Sequence, residues 1–163
     1  MKYAHAVPEN QQNESFTTPS PDEIVELTKL HVQGLEASND DAVWLVAGMQ
    51  HVLLTIIGRK SGVARKTPLP YWRDPNGHRI VVGSFAGAEK HPAWFHNLAD
   101  KAANPTIHVK ERDHEFWSDA EVLDGEEHEA MWAALTADRP FYDDYQAKTD
   151  RRIPLIRLPE PTG

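Results

Sequence analysis

The sequence predicts a small α+β domain in which an antiparallel, barrel-like sheet carries helices between and beside its strands. Three observations lead there. Short apolar, partly β-branched runs end at strong turn signals. The stretches between them carry helix caps and apolar residues at helical spacing. Finally, 163 residues, 40% of them hydrophobic, suffice for one domain with a core and are too few for two.

Residues 1–20 read as a flexible N-terminal tail: they hold one lysine, two prolines and the polar run Asn10-Gln11-Gln12-Asn13-Glu14, and lack the basic and apolar regions of a signal peptide. Residues 21–163 form the single domain. Ser20, Pro21 and Glu23 make a capping box with proline at the first helical position. Ile24, Leu27, Leu30 and Leu35 recur near helical spacing, so a helix is expected over Asp22–Leu35. Past the polar break Ser38-Asn39-Asp40-Asp41, an apolar segment leads to Val52-Leu53-Leu54-Thr55-Ile56-Ile57, a buried strand closed by Gly58. Thr67–Trp72 is its expected hairpin partner. Asp74-Pro75-Asn76-Gly77 then turns the chain into a strand over His78–Ser84, completing an antiparallel meander.

A short helix is expected over Pro92–Ala102, with Trp94, Phe95, Leu98 and Ala102 on its apolar side and Asn104-Pro105 closing it. Thr106–Lys110 and Glu115–Val122 read as strands around the charged turn Glu111-Arg112-Asp113. Asp124 and Glu127 have capping spacing ahead of a helix through Met131, Trp132 and Leu135, of which Met131 and Trp132 read as core. A turn and helix span Pro140–Thr149. Ile153–Leu158 is the last strand, with Pro154 pointing to a sheet edge. About six strands are expected, with no internal repeat.

The absence of cysteine excludes a disulfide framework, an iron–sulfur cluster, a thiolate zinc site and a cysteine nucleophile, and it fits a reducing cytoplasm. The most apolar stretch, Ala42–Ile57, is interrupted by Gln50 and His51 and falls short of the roughly 20 residues a spanning helix needs. No transmembrane segment is expected. Trp44, Leu45 and Val46 read as core, with peripheral contact at the inner membrane face as the alternative. A net charge of −8 opposes nucleic-acid binding, but the charge is unevenly spread. Residues 58–110 hold nine bases and three acids, whereas residues 111–163 hold six bases and fourteen acids. The middle third is a basic island.

The core of that island is Gly58-Arg59-Lys60-Ser61-Gly62-Val63-Ala64-Arg65-Lys66-Thr67-Pro68-Leu69, with four cations between Gly58 and Lys66 and no acid. Hydroxyls beside arginine and lysine suit a phosphate or carboxylate. Neither the P-loop nor the dinucleotide fingerprint is matched, and a solvated basic hairpin loop is the plain alternative.

Other segments recur with it in order: Leu54-Thr55-Ile56-Ile57 before the loop, Gly83-Ser84-Phe85-Ala86-Gly87-Ala88, His91-Pro92-Ala93-Trp94-Phe95-His96-Asn97-Leu98 with Asn104-Pro105, and Pro140-Phe141-Tyr142-Asp143-Asp144-Tyr145-Gln146 with Thr149-Asp150-Arg151-Arg152-Ile153-Pro154. This order, over roughly Val52–Pro159, resembles the deazaflavin-dependent nitroreductases, which use coenzyme F420, an 8-hydroxy-5-deazaflavin. The resemblance implies a split β-barrel of the FMN-binding type. It also implies hydride transfer from reduced F420 to a quinone, nitroaromatic or enone. On the matching positions, Arg59, Lys60, Ser61, Arg65, Lys66 and Thr67 would hold the coenzyme's phosphate and acidic tail, and Pro68, Leu69 and Pro70 would continue along its ring. Val82, Gly83, Ser84 and Phe85 would meet the ring through the backbone, Ala93, Trp94, Phe95, His96 and Asn97 would flank it, and Tyr145 with Tyr142 would face ring and acceptor. Phe85 stands where many relatives carry lysine, and Pro70 where many carry an aromatic.

Two function classes follow. One is an F420H2-dependent oxidoreductase acting on a small-molecule acceptor. The other is a non-catalytic protein holding a deazaflavin, FMN or a lipid-like ligand on the same barrel, a reading favoured by Phe85. Nine histidines invite a metal site, but the five-residue spacing of His91 and His96 does not share a helical face, and no metal is expected. Ser61 lacks a nucleophile elbow. Tyr142 and Tyr145, three apart on one helical face, suit either core or site.

Overall fold

The structure, a computed structural model, describes residues 20–161; the expected tail lies outside the described residues except for Ser20. Helix α1 (Pro21–Ala37) starts at the capping box, where the Ser20 hydroxyl accepts from the Glu23 amide and the Glu23 carboxylate accepts from the Ser20 amide. A one-turn helix α2 (Asp41–Trp44) and the short strand β1 (Leu45–Val46) lead through Ala47 and Gly48, both at positive φ, into β2 (Met49–Ile57). The hairpin partner is β3 (Ala64–Arg73), followed by β4 (Arg79–Val82). The turn between them is fixed by Asp74, whose carboxylate accepts from the Asn76 and His78 amides, and by Gly77 at φ +85°.

A 3₁₀ turn (Phe85–Gly87) and helix α3 (Ala93–Ala99) precede β5 (Ile107–Glu111), β6 (His114–Ser118) and β7 (Glu121–Val122). Helices α4 (Gly125–Asp138) and α5 (Phe141–Ala147) then lead to β8 (Leu155–Leu158). The strands pair antiparallel in the order β6-β5-β2-β3-β4-β8-β7, with β1 added to β2, as a curled half-barrel.

The two faces of this sheet bury two cores because strand side chains alternate. On β4, Val81 joins Val52, Leu54, Ile56, Val109 and Ile156 on one side, whereas Ile80 and Val82 join Leu123, Leu135, Tyr142 and Leu155 under α4 and α5. Met131 and Trp132 pack against the second core. A third cluster, Leu35, Trp44 and Leu53, seats α1 on β2. Trp44 and Val46 are buried and only Leu45 of that trio is exposed.

Four expectations need correction. The basic stretch is not all loop: the turn is tightened by the Gly58 amide donating to Val63 and the Gly62 amide donating to Gly58, so Arg65 and Lys66 already lie on β3. The run Glu115–Val122 is two strands, β6 pairing β5 and β7 pairing β8, because the chain bends at Asp119-Ala120, where Lys101 binds the Asp119 carboxylate and the Ala120 carbonyl. Asp124 occupies the N-cap of α4, but its side chain makes no cap bond; only its carbonyl accepts from His128. The last strand is interior, between β4 and β7. Pro154 is tolerated because it precedes β8 and contributes its carbonyl, which accepts from the Gly83 amide at 2.9 Å.

One buried side chain fixes where the basic turn sits. Asn104 accepts from the Ile57 amide and donates to the carbonyls of Ile57 and Asn97, each at 2.8 Å. It ties the end of β2 to α3.

Candidate cofactor site

The outer half of β3, the end of β4 and helices α1, α3 and α5 enclose a cavity of about 580 Å³. β3 contributes Arg65, Lys66, Thr67, Pro68, Leu69 and Pro70. The end of β4 contributes Val82, Ser84, Phe85 and Ala86; the α3 side contributes Pro92, Ala93, Trp94 and Asn97. Tyr142 and Tyr145 face them from α5, with Phe141. Most of the residues expected at the site therefore meet around one hollow.

The others do not line it. Arg59 is anchored to Asn97, whose carbonyl oxygen accepts from the Arg59 amide at 3.1 Å and from its guanidinium at 2.8 Å. A neutral amide, not a carboxylate, holds this guanidinium, so its charge is not cancelled there. Lys60 and Ser61 occupy the exposed turn, where the Ser61 hydroxyl accepts from the Val63 amide. Gly83 packs under Pro154: a Cβ there would come within 2.6 Å of Pro154 Cγ, so no side chain fits. Phe95 packs against the first core, and His96 approaches His91 with ring centroids 5.5 Å apart. Among the described residues no cluster of three metal-ligating side chains occurs.

The cavity wall carries both charged and aromatic side chains. Lys29 and Lys66 stand on its wall from α1 and β3, Lys66 being paired with Glu36 of α1. At the α5 end, Tyr142 is buried and its ring lies 6.1 Å from that of Tyr145. His51, on the β2 wall, is buried beside His31 with ring centroids 5.0 Å apart. Burial, followed by the neighbouring His31, lowers its pKa to about 3. His51 is therefore neutral at ordinary pH, and its Nδ1 donates to the Met49 carbonyl at 3.0 Å.

The end of β4 is strained. Phe85 and Ala86 take φ of 45° and 54°, a left-handed conformation costly for side chains with a Cβ, and Gly87 follows at 79°. Ser84, immediately before, is right-handed at φ −76°. Successive right- and left-handed residues turn their amides toward a common point, a backbone arrangement suited to an electron-rich oxygen.

A family model described as F420H(2)-dependent quinone reductase matches residues 27–160, beginning on the turn of α1 that reaches the cavity. The chain belongs to this family. As an F420H2-dependent quinone reductase family member it is an oxidoreductase, and F420 is its cofactor. It is 28% identical over 138 residues to an F420H(2)-dependent quinone reductase of Mycobacterium tuberculosis, covering 82% of this chain and 90% of that one. A solved F420-H2-dependent reductase is 39% identical, with 67% of this chain and 93% of that one covered and a TM-score of 0.55. A structure described as a domain-swapped dimer is 34% identical, with coverage of 86% and 100% and a TM-score of 0.58.

The family's cofactor fits the residues present. A flat ring needs an apolar slot with few polar groups, which Pro68, Leu69, Pro70, Val82 and Trp94 supply; an anionic tail needs cations, of which Arg65 and Lys66 line the cavity while Arg59 and Lys60 stand on the turn that leads into β3. The cavity wall also includes residues that were not expected at the site: Leu27, Thr28 and Lys29 of α1, Met49 and His51 of β2, and Ile56, Ala86, Pro92 and Phe141, which lie within the segments that carry the resemblance. The i,i+4 spacing of Phe141 and Tyr145 was a signal for one of these. Met49 and His51, two apart on β2, were legible by extending the strand's alternation upstream. Nothing local in α1 announced its role.

Proposed function

We propose that this protein transfers hydride from F420H2 to a small quinone, with nitroaromatics and activated enones as further acceptors, inside the cavity bounded by β3, the β4 end, α3 and α5. The observation that carries the reading is the lining of this one hollow, where Arg65 and Lys66 of β3 and the tyrosines of α5 stand on the same cavity wall. When bound, the reduced deazaflavin supplies the hydride. The chain's part is to hold and orient it and to exclude water.

In this reading Arg59, Lys60, Ser61, Arg65, Lys66 and Thr67 hold the phosphate and acidic tail. Pro68, Leu69 and Pro70 support one face of the ring, and Ala93, Trp94 and Asn97 bound it from α3. Phe95 and His96 stand behind α3's cavity wall as support. Val82, Gly83, Ser84 and Phe85 offer backbone groups to its polar edge. Phe85, which lines the cavity, packs against the ring in place of a charge contact. Tyr145 orients the acceptor, and Tyr142, more deeply buried, backs it. Among the described residues no helix is long and apolar enough to cross a membrane.

The test is a fluorescence titration with F420 and with FMN, followed by oxidation of F420H2 in the presence of menadione. F420 should bind without displacement by FMN, and menadione should be reduced over many turnovers. Binding without reduction of menadione, a nitroaromatic or an enone would return the protein to the ligand-holding class. Absence of F420 binding would overturn the site.

A further inference from the structure

The least conventional polar arrangement in the molecule lies directly behind the strained end of β4. Arg151, between α5 and β8, donates through Nε to the Ala88 carbonyl at 2.9 Å, through Nη1 to the Gly83 carbonyl at 3.0 Å and through Nη2 to the Ser84 carbonyl at 2.7 Å. Nη1 also lies 3.0 Å from His91 Nδ1, which must be unprotonated to accept. Among the described residues no carboxylate pairs with this guanidinium, and burial is what lowers its pKa. A half-buried arginine spent on three carbonyls and an imidazole is unusual, because carboxylates are the stronger acceptors for its fork.

The consequence follows from peptide planarity. In a trans peptide the carbonyl and the following N–H point in opposite directions. Arg151 takes the carbonyls of Gly83 and Ser84, so the amides of Ser84 and Phe85 face away from it. Among the described residues neither amide has a hydrogen-bond acceptor within the chain, and Ser84 and Phe85 both line the cavity. Gln146 fixes the arginine in turn: its side chain accepts from the Ile153 amide at 3.0 Å and donates to the Arg151 carbonyl at 2.7 Å.

We propose that Arg151 is a positioning residue for cofactor binding: from behind the sheet it holds the Gly83–Ser84 and Ser84–Phe85 peptides with their amides presented to the polar edge of the deazaflavin ring. It touches neither coenzyme nor acceptor, and it maintains the left-handed residues 85 and 86 against their backbone cost. The proposal rests on the reading that the β4 end meets the ring.

The test uses the full chain. Arg151→Gln and Arg151→Lys are compared with the unchanged protein by amide ¹⁵N–¹H spectra without coenzyme and by fluorescence titration with F420. In R151Q the resonances of Ser84, Phe85 and Ala86 should move while those of β2 and β5 stay, and the F420 dissociation constant should rise about tenfold or more, with partial recovery in R151K. A second pair leaves Arg151 intact. At φ −76° Ser84 has a backbone that proline can adopt, so Ser84→Pro deletes the amide and is read against Ser84→Ala. S84P should bind F420 about tenfold more weakly than S84A. If R151Q does not fold, this pair decides. Unchanged F420 affinity in folded R151Q, or equal affinity in S84P and S84A, overturns the proposal. If the unchanged protein itself binds no F420, the functional reading has failed, and unmoved amides in R151Q would show separately that Arg151 does not hold the strand end.

Discussion

Tyr145 and Asn104 show how differently single residues serve this site. Tyr145 faces the cavity from α5 and is only partly buried, whereas Tyr142 beside it is buried. Tyr145→Phe is expected to lower kcat about tenfold with the F420 dissociation constant within about twofold of the unchanged protein. Equal losses in both would make the tyrosine a packing residue. Asn104 never reaches the cavity, yet it satisfies three backbone groups of Ile57 and Asn97. Asn104→Ala should destabilise the fold by about 1–3 kcal/mol in denaturant unfolding and also weaken F420 binding, since it loosens the frame that seats Arg59. Residue types at the cations and tyrosines were legible in the sequence because chemistry selects them. Asn104 and Arg151 were legible only as members of the segments that carry the resemblance, because Ile57, which Asn104 ties down, lies 47 positions away from it and the partners of the Arg151 guanidinium lie 60 or more away.

Among the elements, the hairpin β2–β3 was readable from its β-branched run and glycines, and β4 from its Asp-Pro-Asn-Gly turn. The reading failed where long-range contacts override local pattern: Lys101 bends the run Glu115–Val122 into two strands, and the Gly83–Pro154 bond draws β8 into the sheet interior. Helix α1 is the clearest case, since its caps predicted a helix but nothing predicted that it would wall the cavity. Its seating on β2 includes the buried pair His31 and His51. Both pKa values are lowered by burial, His51 to about 3. A histidine held below its usual 6.5 contributes stability that is full above that value and is lost as pH falls toward about 3. The protection factors of α1 amides, taken relative to intrinsic exchange at each pH, should therefore fall, and stability should drop, across that acid window. His51→Leu should flatten the dependence.

For the whole molecule, the net charge of −8 is misleading until it is resolved along the chain. The fold sets Arg65 and Lys66 of the basic middle third on the cavity wall. Such local focusing is what an anionic ligand needs from an acidic protein. Replacing Arg59 and Lys60 together by alanine should weaken F420 binding about tenfold or more and reduce its salt dependence, at a stability cost of about 1 kcal/mol for the lost Arg59–Asn97 bond. Unaltered affinity and salt dependence would reduce the basic turn to a hydrated surface. The central claim is that one hollow holds both the coenzyme and its acceptor, and a crystal structure with F420 bound tests it most directly. The ring should lie between the Pro68–Pro70 segment and Ala93–Asn97, its polar edge on the Ser84 and Phe85 amides, and its phosphate beside Arg59, Lys60, Arg65 or Lys66. A ring bound outside this cavity, or a phosphate pointing toward Tyr145, would contradict it.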